Sequence, residues 1–125
     1  MPGLTLDAGA LLALEHGNKR MRARLLAAEQ DGELITVPAS VLAEWWRGDD
    51  ARQCAILESV DVEPVSAEIA KLAGEAVAAR PDTSTRDALV MACAAQRGDV
   101  VYTSDSDALA RLHARCRAVH RVLRV

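Results

Sequence analysis

VVYTSDSDAL, Val100 to Leu109, is the stretch on which the reading of the fold turns. Residues of strand character, Val100 to Thr103, run into two aspartates spaced two apart, Asp105 and Asp107. A buried strand that surfaces among carboxylates has two physical readings. In one, Asp105 caps a short helix and Asp107 is a first-turn acid favoured by the helix dipole. In the other, the pair is half of a cation site whose remaining ligands lie far away in the chain.

The chain before it repeats the alternation of strand and helix. Leu4-Thr5-Leu6 predicts a strand, followed by a helical run from Ala8 to Glu15 that Gly17 and Asn18 break. A second helix is predicted over about 19–30, with Met21, Leu25 and Leu26 at helical spacing. Asp31-Gly32 is a turn, and Leu34 to Val37 a second strand. Pro38 suits the first turn of the next helix, where its missing N–H costs nothing. That helix is predicted to reach Arg47, with Gly48 stopping it, and another to cover Asp50 to Ser59. Val60 to Val65 alternates as a third strand. Ser66 caps a helix from Ala67 to Ala79, Ser84 opens one reaching Arg97, and Ala118 to Leu123 is a last strand. Strands alternating with helices imply parallel pairing with helices on both faces. In such sheets ligands sit at the carboxyl ends of strands, beside the point where strand order reverses. Asp7 follows strand one and Asp105 follows strand four, so both are well placed if those strands are neighbours.

Composition narrows the class. At 125 residues, 50% of them hydrophobic, the chain predicts one domain spanning 1–125 with its own core. Aromatics are only 2%, so the core is expected to be Ala, Val and Leu. No apolar run approaches the roughly 20 residues needed to cross a membrane, and MPGLTLD lacks the form of a signal peptide. Cys54, Cys93 and Cys116 are odd in number and widely spaced, which argues against a disulfide framework or a zinc site. The expected setting is the reducing cytosol. The net charge of −3 is no global nucleic-acid signature. Its distribution is uneven: no acid follows Asp107, while Arg111, Arg115, Arg117, Arg121 and Arg124 do. A solvated basic face accounts for that tail as well as phosphate binding does.

Each candidate acid has an ordinary reading. Asp7 can cap the helix at Ala8. Glu44 can be a surface glutamate pairing with Arg47. Asp87 stands at capping-box spacing from Ser84, yet opens a helix, Ala88 to Ala95, that is apolar all round and so expected to be buried. Taken together, Asp7, Glu44, Asp87 and Asp105 can all reach one edge of the sheet. Converging carboxylates repel and raise one another's pKa, and a divalent cation removes that cost. Hard oxygen ligands with no His or Cys nearby select Mg²⁺ or Mn²⁺ over zinc.

With LTLDAGALLAL around Asp7, VLAEWWRG around Glu44 and TRDALVMACAAQRGDVVYTSDSDAL around Asp87, Asp105 and Asp107, the sequence resembles the PIN-domain nucleases. Within them it is similar to the VapC-type toxins of bacterial toxin–antitoxin pairs. The resemblance spans nearly the whole chain. It implies an α/β, three-layer PIN-like fold with a parallel five-stranded sheet in order 3-2-1-4-5. It implies a Mg²⁺- or Mn²⁺-dependent endoribonuclease, a homodimer, and neutralisation by a small antitoxin. It carries the acidic quartet onto Asp7, Glu44, Asp87 and Asp105, a supporting hydroxyl onto Thr103 and a further acid onto Asp107. Trp46, with Met21 and Leu25, is expected to form an apolar groove for an antitoxin helix. A non-catalytic PIN-like module that binds RNA or protein is the alternative.

Overall fold

β1 (Leu4–Leu6) is only three residues long and is covered on both faces: Leu4, Thr5 and Leu6 are all fully buried. Such strands read as short apolar runs because helices cover both sides of a parallel sheet. The structure, a computed structural model, describes residues 2–48 and 50–125. β1 lies at the centre, paired in parallel with β2 (Ile35–Pro38) on one side and β4 (Val100–Thr103) on the other. β3 (Asp61–Glu63) adds to β2 and β5 (Arg121–Arg124) to β4, both parallel. The order β3-β2-β1-β4-β5 is the one that the resemblance implied. The chain steps from β1 to β2 and β3 in one direction, then returns to build β4 and β5 in the other. The reversal therefore falls between β1 and β4, and so do Asp7 and Asp105.

Helices flank the sheet. α6 (Thr85–Ala95) crosses β1, β2 and β4, with α5 (Ala67–Ala79) packed on it. Its sequence TRDALVMACAA buries Ala88, Val90, Met91, Ala92, Cys93 and Ala94, as expected of a helix apolar all round. Burial pushes the Cys93 thiol up to about 12, so it is protonated and inert at neutral pH. Gly98, at φ +69°, makes the left-handed turn from α6 into β4 that a side chain would strain. α1 (Ala8–Glu15) meets β1 and β4, and α2 (Lys19–Gln30), α3 (Ala39–Trp45) and α4 (Ala51–Glu58) pack around it. α7 (Ser106–Ala110) follows β4. Among the described residues no helix is long and apolar enough to cross a membrane.

One buried polar network ties these layers at the start of β4. Asp99 is 1% exposed and accepts from the Thr5 hydroxyl at 2.8 Å and from Arg97 Nε at 3.0 Å. Arg97 also pairs with Glu63. A carboxylate this deep is tolerated because a guanidinium and a hydroxyl satisfy it.

Several boundaries differ from expectation. Pro38 closes β2 and caps α3 with extended backbone (φ −61°, ψ 143°) instead of lying inside the helix. Its ring fixes φ near the observed −61°, which serves extended backbone as well as a helix's first turn. α3 stops at Trp45, and Trp46 turns extended (φ −66°, ψ 133°), so the helix does not reach Arg47. β3 is shorter than predicted, and Pro64 follows it directly. The last strand starts at Arg121, not Ala118. Val119 is buried just before it, so an apolar signal preceded the strand proper.

Candidate active site

Asp7 is where β1 hands over to α1. Its backbone N–H donates to the Tyr102 carbonyl at 3.2 Å, fixing it against β4. Its Oδ1 accepts the Ala10 N–H at 2.9 Å, so it does cap α1. It also lines a cleft of about 310 Å³ shared with Glu44, Asp87, Asp105, Arg86 and Ser104. Four carboxylates from four separate places in the sequence thus face one hollow at the carboxyl ends of β1 and β4.

The ordinary readings survive unequally. Glu44 does not pair with Arg47, which donates to the Trp46 carbonyl at 2.8 Å. It faces Arg86 Nη1 at 3.3 Å instead. The Asp87 N–H donates to Ser84 Oγ at 3.1 Å, which is one half of a capping box. Its carboxylate makes no hydrogen bond or ion pair among the described residues, so capping does not employ that charge. Asp105 caps α7, accepting the Ala108 N–H at 3.2 Å, while its own N–H donates to Thr103 Oγ1 at 3.0 Å. Thr103 is fully buried and fixes the turn that presents Asp105. Asp107 is exposed in the first turn of α7 and is not part of the cleft lining.

The acids feel each other. Burial holds the Asp7 carboxyl above the usual range; the Thr103 hydroxyl and the Ala10 N–H pull it down, and the Asp87 charge pushes it up again. Glu44 is also raised, first by burial, with Arg86 opposing and the charges of Asp7 and Asp87 adding. Raised carboxyls in a cleft mark a place where negative charge is costly, which a proton or a cation relieves.

A hard divalent cation fits this donor set in kind. Every acid lining the cleft offers oxygen, and no His or Cys lines it. The cage is not preformed: among the described residues no three Asp, Glu, His or Cys side chains stand ready as ligands of one ion. Asp7 and Asp105 each commit an oxygen to a helix cap, and Glu44 is drawn towards Arg86.

The groove expected from Trp46, Met21 and Leu25 does not form as one surface. Met21 is 3% exposed and faces a hollow between α2 and β5, whereas Leu25 lines a different one with Leu14 and Ile56. Trp46 leaves the helix and packs part-buried on the core, its ring centroid 6.3 Å from that of Trp45.

Three contributors were not picked out from the sequence. Arg86 adjoins Asp87 and supplies the cleft's counter-charge. Ser104 and Gly9 set its floor: a Cβ on Gly9 would stand 2.1 Å from Ser104 Oγ. A glycine in a helix's first turn, just after a candidate acid, was the available signal, since it costs stability unless backbone or loop must pass close.

The profile of the PIN domain matches residues 4–114. No curated protein matches the chain by sequence. Among solved structures, a chain in the crystal structure of VapBC2 from Rickettsia felis bound to a DNA fragment from their promoter is similar, with a TM-score of 0.75 at 13% identity. The match covers 98% of this chain and 98% of that one. A chain in DNA-bound VapBC from Salmonella typhimurium is similar with a TM-score of 0.70 at 18% identity, covering 99% of this chain and 98% of that one. At such identities these likenesses speak for the fold, and the profile, which takes in most of the sequence, speaks for the family: the chain belongs to the PIN domain family.

Proposed function

We propose that the chain is the toxin of a toxin–antitoxin pair and acts as a Mg²⁺- or Mn²⁺-dependent endoribonuclease in the cytosol. The observation that carries this is the four-carboxylate cleft at the β1–β4 switch point of a PIN domain. Asp7, Asp87 and Asp105 would hold the cation, with Glu44 as a further ligand or as the group that orients water; Asp107, just outside, is a peripheral candidate. A bound Mg²⁺ supplies water polarisation and a clamp on the phosphodiester oxygens. The chain's own part is positional. Helix caps fix Asp7 and Asp105. Glu44, raised by burial and by its neighbours, is suited to take the proton that water loses. Exposed Arg86 beside it can meet a phosphate oxygen. Attack by water on phosphorus, in line with the 3′ oxygen, breaks the P–O3′ bond; the 3′ oxygen leaves with the bonding pair and takes a proton from solvent, giving a 5′-phosphate and a 3′-hydroxyl.

The partners follow from the same reading: RNA as substrate, a small cognate antitoxin, and a second copy of the chain. The similar chains come from VapBC assemblies, which supports the antitoxin. A second reading, binding without cleavage, has one observation in its favour, the absence of a preformed three-ligand cage among the described residues.

Asp7→Asn separates the two. Asn caps a helix about as well as Asp, so the fold survives while a metal-binding charge is lost. Purified wild type and variant are incubated with total RNA in Mg²⁺ or EDTA, and the ends mapped. Cleavage should fall by more than the ~10–100-fold typical of a change one step removed from a metal. Equal cutting by both proteins, or cutting that EDTA leaves untouched, would sink the nuclease reading.

A further inference from the structure

A hollow larger than the acidic cleft lies away from it among the described residues. It lies between α2 and β5, holds about 540 Å³, and is lined by Arg20, Arg24 and Arg124 around Tyr102, Ala23 and Leu123. No Asp or Glu lines it. Arg24 is already engaged: Nε donates to the Tyr102 hydroxyl at 2.9 Å and Nη2 pairs with Glu33 at 2.8 Å. Its guanidinium also lies 5.9 Å from the centre of the Tyr102 ring. Arg20 and Arg124 are different. Both are exposed, and neither side chain makes a hydrogen bond or ion pair among the described residues. Two uncommitted guanidiniums over a partly apolar hollow that no Asp or Glu side chain lines suit the phosphates of an extended polyanion.

This hollow adjoins the cleft through the backbone. The Tyr102 carbonyl accepts the Asp7 N–H. Arg124 stands beside Thr103 in the β4–β5 register, and the Val125 N–H donates to the Thr103 carbonyl at 2.9 Å. Thr103 in turn holds the Asp105 N–H. Arg124 is therefore one strand away from the residue that supports the cleft's acids. The phosphates on either side of the one being cut lie beyond the reach of a cation in the cleft, so arginines beside the reacting centre add affinity for them.

We propose that the α2–β5 groove is an RNA-binding subsite, in which Arg20 and Arg124 grip backbone phosphates of the strand that continues past the cleft. This assigns a role to part of the arginine-rich C-terminal segment and rests on the nuclease reading. RNA is favoured over an acidic protein segment because the groove continues along the same sheet edge as the acids.

The test uses the full chain with Arg20→Gln and Arg124→Gln combined, against a charge-matched control, Lys71→Gln with Arg117→Gln, at exposed positions outside both hollows. Binding of a labelled, mixed-sequence single-stranded RNA is followed by anisotropy in EDTA across a salt series, and cleavage is followed in Mg²⁺. Loss of two phosphate contacts should weaken low-salt binding by about 10-fold or more and flatten the slope of log K against log salt by about 1.4. KM should rise with kcat nearly unchanged, and the control should behave as wild type. If the double variant binds and cuts like wild type while Asp7→Asn abolishes cutting, the groove proposal is wrong and the nuclease reading stands. If wild type neither binds nor cuts RNA, the nuclease reading fails and takes the proposal with it. If the variant binds RNA normally but loses affinity for a poly-glutamate peptide, the groove serves an acidic protein and the RNA assignment is overturned.

Discussion

Asp7 carries two roles because a carboxylate has two oxygens. Oδ1 accepts the Ala10 N–H, and the charge still faces the cleft. Capping and metal binding were therefore never exclusive readings of this residue. Its raised pKa has a consequence for folding. A carboxyl that holds its proton more tightly when folded destabilises the ionised native state, so its contribution worsens as pH rises through the folded pKa. It improves as pH falls from that value towards the ordinary Asp value of about 3.9. In EDTA at neutral pH, Asp7→Asn should accordingly melt above wild type. The gap should close on acidification through that window. Melting temperatures that coincide at every pH would mean that the Asp7 charge is not penalised in the fold.

The contact between the start of α1 and the β4–α7 turn belongs to the scale of elements. Gly9 lets Ser104 approach so closely that a Cβ there would meet its Cβ at 2.6 Å and its backbone N at 3.1 Å. Rotating the serine hydroxyl away relieves neither contact. Gly9→Ala should therefore destabilise by about 1–3 kcal/mol, although Ala in a helix is ordinarily worth about 1 kcal/mol more than Gly. It should also slow cleavage, because Asp105 rides on the displaced turn. Adding Ser104→Gly removes the Cβ contact and should recover most of both in denaturant titration and RNA assays. A Gly9→Ala protein as stable as wild type would show that the turn yields freely.

The same scale explains what could be read without coordinates. Strand–helix alternation and the acids at strand ends were legible because they are local: Leu4 to Asp7 and Val100 to Asp105 each carry their own pattern. The strand order was available only through the resemblance, since no local pattern says which strands pair. The length of α3 was misread because Gly48 is the first local stop signal after Pro38, whereas the backbone already turns extended at Trp46. The Trp46–Met21–Leu25 groove assumed Trp46 at the edge of that helix; with Trp46 outside it and Met21 and Leu25 lining different hollows, the three share no surface. Arg86 as the partner of Glu44 is a contact across 42 positions, beyond the reach of any spacing rule.

At the scale of the whole molecule the acids become a folding problem. The protein has 18 acidic and 15 Lys or Arg residues, so the charges nearly balance, yet its distribution concentrates carboxylates at one sheet edge and arginines in the segment after Asp107. The fold accepts mutual repulsion among Asp7, Glu44 and Asp87 at the mouth of its switch point, offset in part by Arg86. Asp87 is the sharpest probe of that balance, because its carboxylate is not used in its helix cap and has no partner among the described residues. Asp87→Asn removes one repelling charge and no cap, so in EDTA it should melt at or above wild type. A divalent ion that binds only the folded state must raise the melting temperature. The stabilisation is about 2.7 kcal/mol when the ion is at 100 times its Kd. Saturating Mn²⁺ should therefore lift wild type by several °C and Asp87→Asn by distinctly less, with calorimetry giving a weaker Mn²⁺ affinity for the variant. If Mn²⁺ affinity and thermal shift are the same in both proteins, Asp87 is not a ligand. If neither protein responds to Mn²⁺ or Mg²⁺, the cleft does not hold a cation.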